Sequence, residues 1–509
     1  MRTDATARTE GAESTRNGRD EPDPCAHRAP SQAIILAAGR GSRLANGTES
    51  PPKPLARVGG ISLLERTLRT LKKAGVIEFV IVIGHRGKEI RDSIELSCPE
   101  LPITWVNNPE WEKPNGVSVL AAESCAHDRF LLTMSDHVFF PETIKRLREA
   151  EVLDGEALLA IDRKIAACPD LDDATKVQLH ENRIKAIGKS LTDFDAIDIG
   201  IFHCSGALFE ALRKSATGSD CALSDGIRSL AEAGRMKALD IDGEDWLDVD
   251  TPAMRGLAET LLYRRLTKPQ DGPLARCLNR PISLRVTRWL AETRITPNQI
   301  TVALLVLGSL AAFLFAVGGY WPMLVAAFLF HAQSVLDGCD GEIARLKFME
   351  SRWGGVLDVV CDGVVTAAGF LGIGIGLARH LVHPIYASLG LACALAVLGC
   401  TSMLFVLVRR SGRFSGSYTS MSPFQASSAT AARPGMGRLT RILDGLSRRD
   451  YTYLLIVLAA VGKLTWFLWL TAFGIGLYLA GLLVLYMVSF REGKARPIHP
   501  AASSPEPRL

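Results

Sequence analysis

The first half of the chain alternates between short apolar runs and amphipathic stretches. "AIILAAG" (33–39), "EFVIVIG" (78–84) and "RFLLTMSDHVFF" (129–140) have the length of buried strands, whereas "SLLERTLRTLKKAG" (62–75) has helical spacing and ends in glycine. Strands that alternate with helices are typical of a parallel sheet covered on both faces. The pattern therefore predicts an α/β doubly wound, Rossmann-like domain, which we place at residues 32–262.

Long apolar runs dominate the second half. Residues 263–298 are basic and amphipathic and predict a juxtamembrane linker, and the chain from 299 to 490 predicts an all-α six-helix transmembrane domain. The boundary between the last two spans is only weakly marked by "VGKLTWFLWL". The predicted spans are 299–317, 321–345, 354–377, 384–408, 451–468 and 470–490.

Polar segments flank these domains. Residues 1–31 have no apolar core, which argues against a secretory signal and predicts a disordered leader. Residues 415–440 predict a flexible cytosolic loop, and 491–509 predict a disordered cytosolic tail. Clusters of Lys and Arg near the span ends at 409–414, 447–450 and 491–496 predict that the N-terminal domain and the C-terminus are cytoplasmic. The protein is therefore expected to be a multi-pass protein of the inner membrane.

Composition changes this picture little. A net charge of +4 gives no reason to expect nucleic acid as a partner, and eleven scattered cysteines without a CxxC pair favour reduced thiols over a disulfide framework or zinc site. Glycines at 369, 372, 374 and 376 favour close helix contact, including contact between protomers. A homodimer formed through the membrane domain is therefore predicted.

A glycine-rich loop with two basic residues follows the first strand. In "LAAGRGSRL", Gly39 and Gly41 allow backbone N–H groups to approach phosphate oxygens, while Arg43 and Lys53 would neutralise the charge of a triphosphate. A lone GxG is more often a plain turn between a strand and a helix. It is also not the dinucleotide-binding fingerprint, because the third glycine is missing.

Together with "PPKPL", this loop resembles the nucleotidyltransferase signature LAAGxGxR…PK. The resemblance implies transfer of a nucleotidyl group from a nucleoside triphosphate to a sugar or alcohol phosphate, with catalytic roles for Arg43 and Lys53. Asp136 in "TMSDH" and Asp250 in "WLDVDTP" would bind Mg²⁺, or alternatively Mn²⁺, with Asp248 a neighbour of uncertain role. The implied nucleotide-binding residues are Leu36, Ala37, Ala38, Gly39, Gly41, Ser42, Asn115, Gly116 and Ser118, and the implied acceptor-binding residues are Lys176, Lys189 and Asp198.

The apolar second half is interrupted at "SVLDGCDGEIARLKFMESRWGGVLDVVCDGV" (334–364), where Asp337, Asp340, Glu342, Asp358, Asp362 and Arg345 stand out. Ionisable groups at membrane depth are costly unless they bind or react with something. Asp337 and Asp340 are three residues apart, and Asp358 and Asp362 four apart, so each pair shares one face of a helix. Four carboxylates brought together repel one another unless cations lie between them, which favours two divalent ions and a diphosphate ligand over a simple capping cluster.

The same stretch spells D-x2-D-G-x2-A-R-x8-G-x3-D-x3-D and resembles the CDP-alcohol phosphatidyltransferase family at every fixed position. The resemblance implies that Asp337, Asp340 and Asp358 bind metal, and that Asp362 both binds metal and acts as the base for the acceptor hydroxyl. Gly341, Ala344 and Arg345 would contact the nucleotide. The substrate would be a CDP-activated alcohol at the cytosolic face of the lipid bilayer.

A chain with both parts resembles bifunctional enzymes that first make CDP-inositol from CTP and inositol-1-phosphate. They then transfer phosphoinositol to a second inositol-1-phosphate and release CMP. A lipid headgroup synthase that makes another CDP-alcohol and uses a lipid hydroxyl as acceptor is the main alternative. A membrane-anchored nucleotide-binding protein with inactive sites is the alternative from another class, although intact carboxylates in both halves argue against it.

Overall fold

A computed structural model of the chain describes residues 29–41, 43–44, 50–216, 220–266, 275–410 and 451–493. These residues form two compact units. The first unit contains the chain up to Leu55 together with Leu63–Asp250, and the second contains Ala56–Ser62 and the chain from Thr251 onward. Most of the predicted leader and tail, and the whole predicted loop at 415–440, lie outside the described residues.

The first unit contains a nine-stranded sheet whose spatial order is β5-β4-β1-β6-β11-β8-β12-β10-β9. Two further strands, β7 and β13, form a small separate ladder, and β2 and β3 form a hairpin that belongs to the second unit. The strands, in chain order, are β1 Gln32–Ala37, β2 Arg57–Val58, β3 Ile61–Ser62, β4 Glu78–Ile83, β5 Ile103–Asn107, β6 Arg129–Met134, β7 His137–Val138, β8 Ala157–Asp162, β9 Lys176–His180, β10 Arg183–Gly188, β11 Ala196–Ser205, β12 Met236–Asp240 and β13 Leu247–Asp248.

In the part of the first unit that the structure describes, six helices cover the sheet on both faces, so the predicted doubly wound α/β fold is confirmed. They are α1 Leu63–Lys73, α2 Gly87–Ser97, α3 Asn115–Ala121, α4 Pro141–Glu149, α5 Ala207–Ser215 and α6 Leu223–Glu232. Successive residues of β1 point to opposite faces: Ile34 and Leu36 pack with α3, α5 and α6, whereas Ala33 and Ile35 pack with α1, α2 and α4. Both apolar layers are built from residues of the first unit alone.

The doubly wound sheet is parallel in one part and antiparallel in another. Strands β5, β4, β1 and β6 are parallel, as the βα alternation requires, but β11 is antiparallel to both β6 and β8. The reason is the connectivity after α4, where β9 and β10 form an antiparallel pair before β11 returns along the sheet. Hairpin connections of this kind produce antiparallel neighbours, whereas helical crossovers produce parallel ones.

The second unit is helical. The helices in its described residues are α7 Pro252–Leu266, α8 Arg280–Ala291, α9 Pro297–Val317, α10 Tyr320–Leu336, α11 Gly338–Leu346, α12 Arg352–Leu381, α13 Ile385–Arg410, α14 Tyr451–Ala460 and α15 Leu464–Gly493. Helix α7 runs without a break through the boundary that the sequence predicts after Leu262.

Five segments of the described chain are long and apolar enough to cross a membrane, and α14 is shorter. The predicted fifth span at 451–468 is wrong, because the chain turns after Ala460 and a new helix begins at Leu464. Gly462 causes the turn: it adopts a left-handed φ of 71°, and the N–H of Lys463 donates to the carbonyl oxygen of Leu458 at 2.7 Å. This is the Schellman pattern, which ends a helix at a glycine.

Helix α12 packs against α9 and α13 in the core of the second unit. The four glycines that the sequence singles out make their contacts within the chain. A Cβ at Gly376 would lie 2.0 Å from the carbonyl oxygen of Phe315, and one at Gly374 would lie 2.7 Å from the Cα of Gly390. Small residues at these positions therefore let α12 approach α9 and α13 closely.

Candidate active sites

The first candidate site begins at the loop after β1, where Gly41 allows Lys53 to approach. Gly41 has a left-handed φ of 61°, and a Cβ added there would lie 2.3 Å from the Cβ of Lys53. Glycine tolerates both the backbone conformation and the close approach. The two halves of the sequence signature therefore meet in space, on the side of the sheet where β1 and β6 end. Ser42, between Gly41 and Arg43, lies outside the described residues.

Lys53 lies at the centre of three carboxylates. Its side chain is buried, and Nζ donates to Asp136 Oδ2 at 2.5 Å and also to Asp250 Oδ1. Asp248 Oδ1 is 4.0 Å from the same nitrogen. Because both predicted metal ligands contact one ammonium group, Asp136 and Asp250 lie close enough to share a cation.

A two-strand ladder brings these distant carboxylates together. Strand β13 pairs antiparallel with β7, so that Asp248 lies opposite His137, and the N–H of Val249 donates to the carbonyl oxygen of Asp136 at 3.0 Å. His137 Nδ1 lies 2.7 Å from Asp136 Oδ1. Asp136, His137 and Asp248 each offer a ligand atom within 4.8 Å of the others, the one such group of three among the described residues.

The opposite charges of this cluster stabilise one another in their ionised forms. Burial disfavours the ionised form of Asp136, but His137 and Lys53 outweigh it and hold the pKa of Asp136 well below its usual range. Burial likewise lowers the pKa of Lys53, and the carboxylates of Asp136, Asp248 and Asp250 more than reverse the effect and raise it. Burial opposes the charged imidazole too, but Asp248 and Asp136 raise the pKa of His137 to about 9.

A second group of charges joins the predicted catalytic arginine to the predicted acceptor site. Arg43 Nη1 donates to Asp173 Oδ2 at 2.6 Å, and Lys189 Nζ donates to Asp173 Oδ1 at 2.6 Å. Lys176 Nζ donates to the carbonyl oxygen of Lys189 at 2.9 Å, and Arg43 Nη2 lies 3.3 Å from Asp250 Oδ2. The hydrogen bond from Lys189, followed by that from Arg43, lowers the pKa of Asp173. Arg43, Lys176 and Lys189 therefore form one basic cluster beside the carboxylates.

Asp198, the remaining predicted acceptor residue, lies where β11 leaves its register with β8. Its Oδ1 accepts a hydrogen bond from the N–H of Gly200 at 2.7 Å. Burial raises the pKa of Asp198 to about 6 despite that hydrogen bond and nearby His137. The irregular register of β11 thus places an easily protonated carboxylate within electrostatic reach of His137.

The predicted nucleotide-binding residues make internal contacts. Leu36, Ala37 and Ala38 are buried at the end of β1. The Asn115 side chain accepts a hydrogen bond from the N–H of Leu223 at 2.9 Å, and the buried Ser118 hydroxyl accepts one from Asn108 Nδ2 at 2.9 Å. A Cβ at Gly116 would lie 2.6 Å from the carbonyl oxygen of Cys221, so this glycine packs against the segment before α6.

The donor set of the first site suits a divalent cation. Asp248 Oδ1 is buried and has no hydrogen-bond partner within the described part of the chain, although it lies beside Asp136 and His137. A buried carboxylate oxygen without a donor is costly, and a cation would satisfy it. Hard carboxylate oxygens are also the ligands that Mg²⁺ prefers.

The second candidate site is a cleft between α9, α11 and the start of α12. Among its lining residues are Asp340, Gly341, Ala344, Arg345, Gly354 and Asp358, all of them fixed positions of the sequence motif. Asn298, Thr301 and Ser351 also line it, and none of these three was predicted. The motif residues on two separate helices therefore face one common space.

Contacts around Asp340 fix its side chain. Asp340 is 5% exposed, and its Oδ2 accepts a hydrogen bond from Thr301 Oγ1 at 2.6 Å. A Cβ at Gly341 would lie 3.1 Å from Arg345 Nη1, so the glycine leaves room for the guanidinium one turn later. Asp337 lies at the junction of α10 and α11, and Asp362 lies one turn after Asp358 on α12. Neither of these two lines the cleft.

The residues of the cleft also suit divalent cations. Asp340 and Asp358 face it from different helices, and acidic groups so placed at a membrane require compensation by positive charge. Arg345 supplies one positive charge in the same cleft. The four membrane aspartates do not bring three ligand atoms within 4.8 Å of one another in the described chain.

Several candidate residues were missed from the sequence. His137 follows Asp136 directly, but its pairing with Asp248 depends on two strands of two residues each, which have no detectable periodicity. Thr301 lies in an apolar helix, where a threonine is unremarkable until a buried carboxylate is found opposite it. Asp173 was not among the predicted acceptor-binding residues, although it joins Arg43 to Lys189.

Comparison with known families finds a match in each half of the chain. Residues 33–176 match the MobA-like NTP transferase domain, and residues 294–436 match the CDP-alcohol phosphatidyltransferase family. Both resemblances predicted from the motifs are thus confirmed, and the chain is an enzyme with a nucleotidyltransferase domain and a CDP-alcohol phosphotransferase domain. The second match and the five apolar helices indicate a membrane protein.

Two relatives align with most of this chain. A bifunctional IPC transferase and DIPP synthase of Rubrobacter xylanophilus is 38% identical over 69% of this chain and 78% of its own length. A protein of the same description from Thermococcus kodakarensis is 35% identical over 76% of this chain and 84% of its own length. Among solved structures, an inositol-1-phosphate CTP transferase from T. maritima aligns with 46% of this chain and 96% of its own, with 25% identity and a TM-score of 0.42.

Proposed function

We propose a two-step function for this chain, which belongs to the family of bifunctional IPC transferases and DIPP synthases. In the first step CTP and inositol-1-phosphate give CDP-inositol and pyrophosphate. In the second step the phosphoinositol group passes from CDP-inositol to a second inositol-1-phosphate, and CMP is released. The product of the first reaction is thus the substrate of the second.

One observation carries this proposal: a single chain contains two separate sets of polar groups, one beside the glycine loop and one in the membrane unit. Lys53, Asp136 and Asp250 meet beside the glycine loop, and Asp340, Asp358 and Arg345 face one cleft in the membrane unit. An inactive nucleotide-binding protein would not need buried carboxylates in both places, because such groups are costly to retain.

In the first reaction, a phosphate oxygen of inositol-1-phosphate attacks the α-phosphorus of CTP, and the bond to pyrophosphate breaks. Arg43, Lys176 and Lys189 form the basic cluster that would hold the acceptor phosphate in line, with Asp173 keeping Arg43 and Lys189 in place. Lys53 would stabilise the negative charge that develops on the phosphates. The backbone at Gly39 and Gly41 would contact the triphosphate.

In the second reaction, a hydroxyl of the acceptor attacks the phosphorus that carries inositol, and the bond to CMP breaks. Asp362 would accept the hydroxyl proton, and Arg345 would contact the diphosphate within the cleft. The hydrogen bond from Thr301 would keep Asp340 turned into the cleft. Gly341 and Ala344 leave space for the nucleotide beside Arg345.

Divalent cations complete both sites in this proposal. Asp136 and Asp250, together with Asp248 and His137, would hold Mg²⁺ in the first, and Asp337, Asp340, Asp358 and Asp362 would hold it in the second. When bound, the cations neutralise phosphate charge and position the reacting groups for in-line displacement.

The proposal also includes an orientation in the membrane. The basic clusters at 409–414, 447–450 and 491–496 favour an inner-membrane protein whose N-terminal domain and C-terminus are cytoplasmic. Trp289 on α8 is exposed and directly follows Arg288, a combination typical of helices that lie at a lipid surface. A homodimer through the membrane domain is part of the same proposal and can be tested by crosslinking in membranes.

Product analysis tests the function directly. The full chain in membranes is given CTP, Mg²⁺ and inositol-1-phosphate, and the nucleotides are separated by chromatography. CDP-inositol should appear first and CMP later, together with a phosphorylated di-inositol phosphate. CMP release that depends on a lipid acceptor would instead identify a headgroup synthase, and no pyrophosphate with inositol, choline or glycerol phosphate would contradict the first step.

A further inference from the structure

We infer that Glu342 is a positioning residue for the second reaction, because it fastens helix α8 to the short helix α11 that carries Asp340 and Arg345. This inference rests on the proposed function of the cleft. Glu342 lies within the family motif at a position the motif leaves open, and the proposed mechanism gives it no role. It is nevertheless 0% exposed, the lowest exposure of any acidic residue in the described part of the second unit.

Three side chains of α8 donate hydrogen bonds to this one carboxylate. Glu342 Oε1 accepts from Ser283 Oγ at 3.1 Å and from Arg280 Nη1, and Oε2 accepts from Thr287 Oγ1 at 2.6 Å. Arg280, Ser283 and Thr287 are spaced by three and four residues, so they lie along one face of the helix. The side of α8 that meets α11 is therefore polar and is matched to a single buried charge.

Neighbouring contacts support the same interface. A Cβ at Gly338 would lie 3.1 Å from Arg280 Nη1, so the glycine leaves space for the guanidinium. Cys339 is buried, with Sγ 3.6 Å from the carbonyl oxygen of Ser283. Beyond the far end of α8, Lys347 Nζ donates to the carbonyl oxygen of Thr293 at 2.8 Å. Contacts with α8 thus involve the first half of α11, and a further contact lies just beyond the end of each helix.

Helix α11 needs such an attachment. It has nine residues, and isolated helices of that length are not stable, so packing must determine its position. One residue of an α-helix corresponds to about 100° of rotation, so a small change in its seating would turn Asp340 away from Thr301 and the cleft. Glu342 is two residues after Asp340 and three before Arg345, and it points to a different side of the helix from Asp340. It can therefore fix the rotation of α11 without occupying the cleft.

Burial makes the attachment specific. Removing one partner of a buried ion pair leaves a charge without compensation, whereas removing both costs much less. The Arg280 side chain is 14% exposed, so little water reaches this pair. A mismatch in which α8 slides by one residue would leave Glu342 without its donors. The ion pair between Arg280 and Glu342 thus favours one packing position of α8 on α11 over positions shifted by one residue.

Four variants of the full chain in membranes test this inference: Glu342→Gln, Arg280→Met, their combination, and Arg285→Met as control. Arg285 is an exposed arginine on the same helix. CMP release is measured with purified CDP-inositol and inositol-1-phosphate over a range of Mg²⁺ concentrations. Each single variant should lower kcat by at least tenfold and raise the Mg²⁺ concentration that gives half the maximal rate. The double variant should lose no more than the worse single variant, and the control should resemble wild type.

A chemical readout separates seating from activity. Loosening α8 from α11 should expose Cys339, so N-ethylmaleimide should modify it faster in Glu342→Gln, as measured by mass spectrometry of the peptide. General unfolding would also expose the buried Cys361 and Cys400, which should stay unmodified. CDP-inositol synthesis from CTP should be unchanged in every variant and reports the amount of protein in each assay.

The outcomes distinguish the possible failures. Wild-type kcat and Cys339 reactivity in Glu342→Gln would overturn the inference. A double variant whose loss is the product of the two single losses would also overturn it, because Arg280 would then act on the substrate independently of Glu342. If wild type releases no CMP from CDP-inositol, the proposed second reaction fails instead.

Discussion

Lys53 is held by the same carboxylates that are proposed to bind a cation. The buried ammonium donates to Asp136 and Asp250 and lies 4.0 Å from Asp248, so it balances charge that burial would otherwise make unfavourable. A lysine has a flexible stem and three donors, which lets it contact carboxylates in one state and phosphate oxygens in another. Position 53 therefore links the acidic and the phosphate-binding parts of the first site.

The two sites should be separable by single substitutions. Asp136→Asn should lower CDP-inositol synthesis by at least about 10²-fold, because it weakens both cation binding and the contact with Lys53, and leave CMP release from added CDP-inositol intact. Asp362→Asn should do the reverse. Nucleotide chromatography measures both, and Asp154→Asn, at a side chain 98% exposed, is the control. Near wild-type CMP release by Asp362→Asn would contradict its role as base.

Gly41→Ala should also disable the first reaction. The added Cβ would lie 2.3 Å from the Cβ of Lys53 and the left-handed backbone would be strained, so Lys53 should be displaced from Asp136. We expect at least a tenfold loss of CDP-inositol synthesis. Gly206→Ala is the matched control, because a Cβ there meets nothing within 4 Å. Equal activity of the two variants would show that the contact with Gly41 does not position Lys53.

His203 should make the first unit sensitive to acid. It is 1% exposed, and burial lowers its pKa from 6.5 to about 4. Because the histidine pKa is lower in the folded state, the unfolded chain is protonated at a higher pH than the folded one. The contribution of His203 to the free energy of unfolding is therefore full above pH 6.5 and falls as the pH drops towards 4. Between pH 7 and 5 the contribution lost is about 2 kcal/mol.

His203→Phe should remove this acid-dependent loss, whatever its effect at neutral pH. The free energy of unfolding is measured from the urea dependence of hydrogen exchange in β11 at several pH values. At each pH, the value for the variant is compared with that for wild type. The exposed His180 provides the control variant His180→Phe. An unchanged pH dependence in His203→Phe would show that the imidazole is not the group responsible.

At the scale of elements, periodicity predicted the long segments and failed at the short ones. The first strands and α1 were recognised because an apolar run or a helical repeat extends over many residues. The antiparallel return of β11 depends on the hairpin of β9 and β10, whose partners lie far along the chain, and local sequence does not encode that pairing. The same holds for α14, where one glycine in the left-handed conformation outweighs a continuous apolar pattern.

The sequence motifs predicted the positions of the two sites better than the hydrophobic pattern predicted the helices and strands. Residues of "LAAGRGSRL" and "PPKPL" meet because a glycine faces a lysine, and both lie beside the strand that the sequence predicts. Contacts such as Thr301 with Asp340 or Arg280 with Glu342 could not be predicted, since they join different helices through ordinary polar residues. Motifs report which groups take part, whereas helix packing decides how they are oriented.

Gly376→Ala should weaken the contact between α12 and α9. Its Cβ would lie 2.0 Å from the carbonyl oxygen of Phe315, and overpacking of this kind typically costs about 1–3 kcal/mol. We expect the Tm of the membrane unit in detergent to fall by roughly 2–10 °C. Gly474→Ala on α15 is the control, because a Cβ there meets nothing within 4 Å. A similar fall in both variants would mean that glycine at 376 is not a packing requirement.

At the scale of the whole molecule, the first unit should work by itself. Both of its apolar layers, and the carboxylates around Lys53, come from residues before Thr251. A fragment of residues 29–266, which includes all of α7, should convert CTP and inositol-1-phosphate to CDP-inositol and pyrophosphate, with CTP preferred over UTP. Pyrophosphate release measures this, and the Asp136→Asn fragment is the control. A folded fragment without activity would show that the first site needs the second unit.

The ladder between β7 and β13 has a consequence for how the protein is made. It pairs Val138 with Leu247, so the groups around Lys53 are completed by the last residues of the first unit. A ribosome delivers the chain from its N-terminus, and domains tend to fold as they emerge. A nascent chain could therefore assemble much of the sheet early and still lack Asp248 and Asp250. The first catalytic centre would therefore be complete only after the ribosome has begun to synthesise α7. No CDP-linked product could then form before synthesis of the membrane unit has started.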